Sequence, residues 1–284
     1  MICSSLSARR IVNVPGTERE DADIMLSVLL AYQAAIQKPG DHAMLTLIAF
    51  PSMPGTRSLS AFCYKAEALL AMAGKPYICE YIVDLSVTPR GKVPVLRDGE
   101  LVIPDSALIQ AHLERYHGLN ADRSLTTMEL SVAEAFRRLG EDHLYWVILY
   151  SRWIDPRNET TMINGVLSAL PEEQRQPAFR EIRASVKEKL AAHGIGLHEP
   201  TEIYASGQRD LDAIAGYLDD KAYFLGDEPT TVDATLVGLL SNVLNPAFAS
   251  PLRSYAETIP AFRDYVIRFE EAVFGDKAIV PAAA

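Results

Sequence analysis

The order of apolar patterns between residues 44 and 118 limits the possible fold of this chain more than any other feature. Residues 44–50 form a short, nearly continuous apolar run, which is typical of a strand buried on both faces. Residues 60–73 carry apolar side chains at helical spacing and end before Gly74, and residues 77–83 form a second β-rich run. A strand, a helix and a strand at this spacing predict a βαβ unit with two parallel strands.

The following segment predicts a hairpin and a second helix. Residues 93–96 and 100–103 are strand-like and flank Asp98-Gly99, which is a strong hairpin signal. Residues 105–117 have a helical pattern that ends at Gly118. The whole region therefore predicts the order β-α-β and then β-β-α, which is that of a thioredoxin-like α/β domain.

The rest of the chain predicts an all-helical domain over residues 125–275, after a polar linker at 119–124. We predict helices over residues 126–150, 176–192, 200–219, 231–244 and 260–274. Residues 1–43 fit neither pattern. We interpret them as an N-terminal extension, either disordered or created by a start site assigned upstream of Met44.

Composition narrows the possible partners and the cellular compartment. The net charge of the 284 residues is −10 with no basic tract, which argues against nucleic acid and anionic membranes. Three scattered cysteines do not form a disulfide framework, so we expect a reducing, cytoplasmic location. The longest uncharged stretch, residues 234–252, contains Asn242, Asn245 and Pro246 and predicts no membrane span. The histidines show no metal-ligand spacing, and we predict no metal site.

Ser60 lies where the first predicted helix begins. A helix N-terminus stabilises a thiolate, and a serine hydroxyl there can donate a hydrogen bond to the sulfur of a bound thiol. The alternative is an ordinary N-cap. Cys63 is the second position of a C-x-x-C spacing that lacks its first cysteine, so it is either a redox nucleophile or a buried, inert thiol, and we expect Cys79 to be core.

Two further motifs flank the predicted hairpin. In Gly91-Lys92-Val93-Pro94, a cis proline would turn the backbone of Val93 outward to pair with an extended ligand, whereas a trans proline would only open the strand. Asp105 and Ser106 begin the next helix and suit a ligand ammonium and carboxylate, although Asp105 also fits a simple N-cap.

Together, Ser60 to Lys65, Gly91 to Pro94 and Asp105-Ser106 resemble the N-terminal domain of cytosolic glutathione S-transferases. The resemblance is greatest for the branch of failed-axon-connections and metaxin-like proteins and their bacterial relatives. Residues 223–233 resemble the stretch that leads into the central helix of that family, with Thr230 and Asp233 as a capping box.

The resemblance implies a glutathione site with Ser60 beside the thiol, Val93 on the cysteinyl backbone, and Asp105 with Ser106 on the γ-glutamyl group. It also implies a homodimer. Ala61 departs from the family, in which proline is common. Between residues 57 and 97 there are six basic and three acidic residues, and we expect Lys65, Arg90 and Lys92 beside the glycyl carboxylate, unless their charges are only solvated.

The predicted helical domain should supply the wall for a second, hydrophobic and electrophilic substrate. Tyr145, Arg152 and Trp153 lie near the end of its first helix, as do Trp146 and Tyr150, although packing between helices would explain them equally. Three hypotheses remain: a glutathione transferase, a non-catalytic metaxin-like interaction module, and a glutathione-dependent thiol-disulfide reductase that uses Cys63.

Overall fold

The computed structural model describes residues 44–277 and residue 279, so the expectations for residues 1–43 lie outside the described part of the chain. Four strands form one sheet in the order β2-β1-β3-β4: β1 Leu45–Ala49, β2 Tyr77–Tyr81, β3 Val95–Asp98 and β4 Leu101–Pro104. Strands β1 and β2 are parallel, and β3 pairs antiparallel with both β1 and β4. The predicted βαβ unit and hairpin are therefore confirmed.

Two helices cover one face of this sheet, α1 Ala61–Met72 and α2 Ser106–Tyr116. Because side chains alternate along a strand, Leu45, Leu47 and Ala49 of β1 point to the same face, and all three are buried in the main core with both helices. The connection from β2 to β3 carries only a 3₁₀ turn in the described structure, Leu85–Val87.

The remainder is helical, as predicted. The helices are α3 Thr127–Leu139, α4 Tyr145–Trp153, α5 Glu159–Thr161, α6 Glu172–His193, α7 Pro200–Leu218, α8 Thr231–Val243, α9 Pro251–Ala256 and α10 Pro260–Phe274. The single helix predicted over residues 126–150 consists of α3, a π-helical turn Gly140–Leu144 and α4. At this turn the chain approaches α8 so closely that a Cβ on Gly140 would lie 2.6 Å from Leu239 Cδ1.

Helix α8 is the centre of the molecule, since every one of its residues is buried. The predicted capping box at its start is confirmed: Thr230 N and Oγ1 both donate to Asp233 Oδ2 at 2.7 Å. On the α1 side, a Cβ on Gly238 would lie 2.9 Å from Ala61 O, which leaves room only for glycine. The sheet region and the helical region therefore share one core. Among the described residues, no helix is both long and apolar enough to cross a bilayer.

Candidate functional site

The three sequence motifs lie at the same end of the sheet. Ile48, near the end of β1, pairs with Val95 at the start of β3, and Val95 pairs with Pro104 at the end of β4. The loop that leads from β1 to α1, the segment before β3 and the start of α2 therefore meet at this edge. An extended ligand can pair with backbone groups that are exposed at such a place, as an added strand does.

Ser60 is the N-cap of α1, with extended backbone and a half-buried side chain. Its Oγ accepts a hydrogen bond from Cys63 N at 3.2 Å, and its own N–H donates to Ser58 Oγ at 3.2 Å. A hydroxyl that accepts in this way retains its hydrogen for a second bond. The N-cap role and donation to a ligand sulfur are therefore compatible.

The backbone of Val93 has free hydrogen-bonding groups beside this N-cap. The Val93–Pro94 peptide bond is cis, Val93 is half-buried, and Pro94 O accepts from Asp105 N at 3.1 Å. In the described part of the chain, neither the N–H nor the C=O of Val93 has a hydrogen-bond partner. Since most backbone groups are paired, this residue offers one donor and one acceptor to a ligand.

Asp105 adopts a backbone conformation that is rare for a residue with a side chain. Its φ of 81° is positive, and its carboxylate caps α2 by accepting from Ala107 N at 2.8 Å. The side chain is exposed, and Ser106 beside it is buried. Such unusual conformations of non-glycine residues concentrate at functional sites. The predicted N-cap role is confirmed, and the other carboxylate oxygen, Oδ2, has no hydrogen-bond partner among the described residues.

Cys63 does not fit the role of redox nucleophile. The side chain is only 1% exposed, and burial raises the pKa of its thiol to about 11, against smaller opposing effects of hydrogen bonds from Ser60 and Phe50. A nucleophilic cysteine needs a thiolate and access to solvent, and Cys63 has neither. The expectation of a Cys63-based reductase is corrected on these grounds. Cys79 is half-buried in β2 and its pKa is also raised to about 11 by burial.

Lys65 is likewise not available to a ligand carboxylate. It is 1% exposed and its Nζ lies 2.8 Å from Glu141 Oε1, in the π-helical turn of the helical region. Burial lowers its pKa, against the opposing effect of Glu141. The expected ligand contact is therefore corrected to an internal ion pair. Lys92 and Arg90, by contrast, are exposed in the segment that precedes Val93.

Arg152 is buried and contacts the protein backbone, so the expectation of an anchor for the second substrate is corrected. It donates to Leu59 O at 2.5 Å and to both the backbone and side-chain oxygens of Asn242, and it lies over the Phe248 ring. Burial lowers its pKa to about 10. No carboxylate pairs with it among the described residues. Arg152 thus holds the peptide that immediately precedes Ser60.

Two aromatic residues predicted for the substrate wall have different surroundings. The Tyr145 ring contacts the Phe62 ring of α1 edge to face, with the ring centroids 4.9 Å apart. This contact joins the helical region to the sheet region, and Phe62 is two residues after Ser60 in the sequence. Trp153 stacks on Phe179 at 6.0 Å in a second apolar cluster. That cluster also includes half-buried Leu59. Trp146 and Tyr150 pack instead against His193 and Tyr204.

Sequence reasoning missed Asn242, which completes the support of the Ser60 loop. Its Nδ2 donates to Ser58 O at 3.1 Å, while its oxygens bind Arg152. The two partners are 184 and 90 residues away in sequence. Nothing in the local pattern of α8 distinguishes this asparagine from any other polar residue in a helix. Only the packed structure reveals it.

Comparison with known proteins bears on the family and the fold. The Glutathione S-transferase N-terminal domain family matches residues 61–158, and the Glutathione S-transferase, C-terminal domain family matches residues 207–269. Failed axon connections of Drosophila melanogaster is 32% identical over 249 residues, which is 82% of this chain and 59% of that protein. This chain therefore spans less than two thirds of that relative.

A second relative is an enzyme by name. Isoprene-epoxide--glutathione S-transferase of Rhodococcus sp. (strain AD45) is 28% identical over 236 residues, which is 80% of this chain and 98% of that protein. Among solved structures, a Methylobacterium radiotolerans glutathione S-transferase in complex with glutathione sulfonate superposes with a TM-score of 0.56 at 16% identity. That match covers 85% of this chain and 97% of the other.

The sheet with its two helices, followed by the helical region, is the glutathione S-transferase fold. This chain belongs to the glutathione S-transferase superfamily. It is also similar to Metaxin-1 of Mus musculus, at 24% identity over 57% of this chain and 54% of that protein.

Proposed function

We propose that this protein binds glutathione at the edge of the sheet and transfers it to an apolar electrophile. The observation that carries the proposal is the free N–H and C=O of Val93, beside the Ser60 N-cap and the Asp105 turn. The cysteinyl residue of glutathione would pair with Val93 as an added strand does. Its γ-glutamyl ammonium would bind the Asp105 carboxylate, and its α-carboxylate would bind the N-terminus of α2 at Ser106.

In the proposed mechanism the protein lowers the pKa of the glutathione thiol. The Ser60 Oγ accepts from Cys63 N, and the hydroxyl keeps its own hydrogen for donation. Donation of that hydrogen to the sulfur favours the thiolate over the thiol, and the N-terminus of α1 adds partial positive charge. Arg152 and Asn242 act indirectly, because they hold the backbone of Leu59 and Ser58.

The electrophile would lie against the aromatic contact between the two regions. Phe62 and Tyr145 are both half-buried, and they provide an apolar surface next to Ser60. By analogy with the Rhodococcus relative, we propose an epoxide as the substrate class. The thiolate attacks an epoxide carbon, a C–S bond forms, the C–O bond breaks with its electron pair on oxygen, and the alkoxide takes a proton from water. The product is a hydroxyalkyl thioether.

The test compares Ser60 variants in glutathione binding and in conjugation of a small epoxide and a generic aryl halide. We expect Ser60→Ala to lower kcat/KM by about 10- to 100-fold, the value of one hydrogen bond to a charged sulfur. Ser60→Thr keeps both the cap and the hydroxyl and should recover most of the rate, and Ser254→Ala, exposed on α9, should match the wild type. Equal rates for Ser60→Ala and wild type would contradict the mechanism.

The binding arm uses two lysines. Lys92→Ala should weaken glutathione binding several-fold in calorimetry, because an exposed cation beside Val93 is lost from the neighbourhood of the glycyl carboxylate. Lys75→Ala is the matched control, since Lys75 is also exposed but follows the opposite end of α1. If both variants bind alike, Lys92 is not part of the site.

A second candidate function is a non-catalytic interaction module. Two cationic residues that were expected to contact a ligand have partners inside the protein instead, which favours this function. Lys65 pairs with Glu141, and Arg152 donates to the backbone oxygen of Leu59. The same assays separate the two functions: a module gives no turnover, with or without glutathione binding. The cytoplasmic location and the homodimer stay predictions, and light scattering of the purified chain tests the latter.

A further inference from the structure

A buried cluster of two histidines and one aspartate lies outside the proposed glutathione site. Nε2 of His112 and Nε2 of His117 both point to the same carboxylate oxygen, Asp98 Oδ2, at 2.8 and 2.6 Å. Asp98 and His112 are nearly inaccessible, and the His117 side chain is 14% exposed. The spacing rule used on the sequence missed this group, because one member comes from a strand and two come from the end of a helix.

The cluster joins two elements of the sheet region. Asp98 is the last residue of β3, His112 is in the last turns of α2, and His117 is the C-cap of that helix. Along α2, at 1.5 Å per residue, His112 lies about 9 Å and His117 about 16 Å from Ser106. The cluster therefore shares no residue with the proposed glutathione site and lies nearer the other end of α2.

We propose that Asp98, His112 and His117 form a binding site for a divalent transition metal of the zinc class. Two imidazole nitrogens and one carboxylate oxygen are a donor set that zinc commonly accepts, with water as the fourth ligand. Tetrahedral zinc with bonds of about 2.0–2.1 Å requires ligand atoms about 3.3 Å apart. The two nitrogens must move from 2.8 and 2.6 Å to about 3.3 Å from the carboxylate oxygen, and the ligand atoms, which all lie within 4.8 Å of one another, must reach that same spacing.

Two features favour a cation at this place. The C-terminal end of a helix such as α2 carries partial negative charge, which attracts a positive ion. The partial exposure of His117 gives the ion an entry path and leaves a coordination position for water. Because Asp98 ends β3 and the two histidines lie towards the end of α2, a bound ion would also link the β3–β4 hairpin to that helix.

One feature limits the affinity. When zinc takes Nε2, the ring proton of each histidine moves to Nδ1. For His117 that atom belongs to a partly exposed side chain, but Nδ1 of His112 is buried and has no hydrogen-bond partner among the described residues. Because metal-binding histidines are usually supported at the second nitrogen, we expect micromolar rather than tighter binding.

The experiment titrates the metal-free full chain with zinc chloride and measures binding by calorimetry. The thermal unfolding temperature is then measured with and without zinc. The wild type should bind one zinc ion at the cluster and unfold at a higher temperature with zinc. His117→Asn keeps a donor for Asp98 but removes the imidazole, and Asp98→Asn removes the anion, and each should weaken binding at least tenfold. His198→Asn is the control, since its side chain is 61% exposed and far in sequence from the cluster.

A readout on the wild type alone covers the case in which a variant fails to fold. Zinc should shift the ring nitrogen resonances of two histidines in nitrogen-detected NMR. As zinc is added, the resonances that these two histidines show in the metal-free protein should disappear. Absence of zinc binding, unchanged affinity in both His117→Asn and Asp98→Asn, or shifts confined to other histidines would each overturn the proposal. The cluster would then be only a hydrogen-bonded contact between the hairpin and the helix.

Discussion

At the scale of single residues, Cys63 shows how burial decides chemistry. Its sulfur lies among core side chains, next to the loop of Ser58 and Ser60 and the backbone of Phe50. Desolvation disfavours the thiolate, and it outweighs the hydrogen bonds that would stabilise it. The thiol that reacts in this fold is therefore expected to belong to the ligand and not to the protein.

This account predicts that Cys63 resists alkylation in the folded protein. Iodoacetamide at neutral pH should leave the Cys63 peptide unmodified in native protein and should modify it fully after unfolding in urea, as measured by peptide mass spectrometry. The reason is that a buried thiol with a pKa of about 11 is neither ionised nor accessible. Fast native alkylation at Cys63 would revive the reductase hypothesis.

The same pKa has a consequence for stability. The folded pKa of about 11 lies above the ordinary value of 9.0, so the folded thiol keeps its proton where the unfolded thiol loses it. This contribution to stability is present below the unfolded pKa and is lost as pH rises towards the folded pKa. The free energy of unfolding measured in urea should therefore fall as pH rises through that window. The fall should be about 1 kcal/mol per pH unit greater in wild type than in Cys63→Ala.

Basic residues illustrate what the sequence can and cannot reveal at this scale. The sequence predicts the same role for Lys65 and Lys92, beside the glycyl carboxylate. In the structure Lys65 forms a buried ion pair and Lys92 is exposed. The difference arises from Glu141, 76 residues from Lys65. The motifs at Ser60, Val93 and Asp105 were recognisable because their roles follow from local backbone position, whereas the partners of Lys65 and Arg152 depend on tertiary packing.

At the scale of elements, helix α8 depends on the residues at its first turn. Asp233 accepts from Phe224 N at 2.8 Å, from Thr230 N and Oγ1, and from the Tyr265 hydroxyl. Burial raises the pKa of this carboxyl, and these four donors oppose the shift. The cap therefore joins the preceding loop, α8 and α10.

We predict that Asp233→Ala destabilises the protein by about 3–5 kcal/mol, because it leaves several buried donors without an acceptor and removes the cap. The measurement is urea unfolding followed by circular dichroism. Glu129→Ala in the exposed capping box of α3 is the matched control and should cost far less. Similar losses for the two variants would mean that Asp233 acts only as an ordinary cap.

Element boundaries were predictable where local signals act alone. The strands, the hairpin and the cap of α8 follow from alternation, Asp98-Gly99 and the Thr230 to Asp233 spacing. The π-helical turn Gly140–Leu144 was not predictable, because it exists where the chain presses on Leu239 of α8. That contact is between residues about a hundred positions apart.

At the scale of the whole molecule, buried polar contacts fasten the sheet region to the helical region. Arg57 lies 2.9 Å from Glu270 of α10 and 3.1 Å from Glu67 of α1, and its guanidinium covers the Phe274 ring at 3.5 Å. The Tyr64 hydroxyl donates to Glu270 at 2.6 Å. Together with the Lys65–Glu141 pair, these contacts make cooperative unfolding of the two regions the expected behaviour.

Glu141→Gln tests this coupling. It leaves the Lys65 ammonium buried without its counter-ion and should destabilise the chain by about 3 kcal/mol, while a double variant with Lys65→Met should recover much of the loss. Both variants should unfold in one transition, observed by fluorescence and circular dichroism together. Two separate transitions in the wild type would show that the regions unfold independently.

The ionisation of bound glutathione tests the central claim most directly. Thiolate absorbance in the ultraviolet, followed against pH for the complex, gives the pKa of the bound thiol. The account predicts a pKa clearly below that of the free glutathione thiol in wild type, and a rise back towards it in Ser60→Ala. A bound thiol with an ordinary pKa in both proteins would contradict the claim that Ser60 and the start of α1 activate a ligand sulfur.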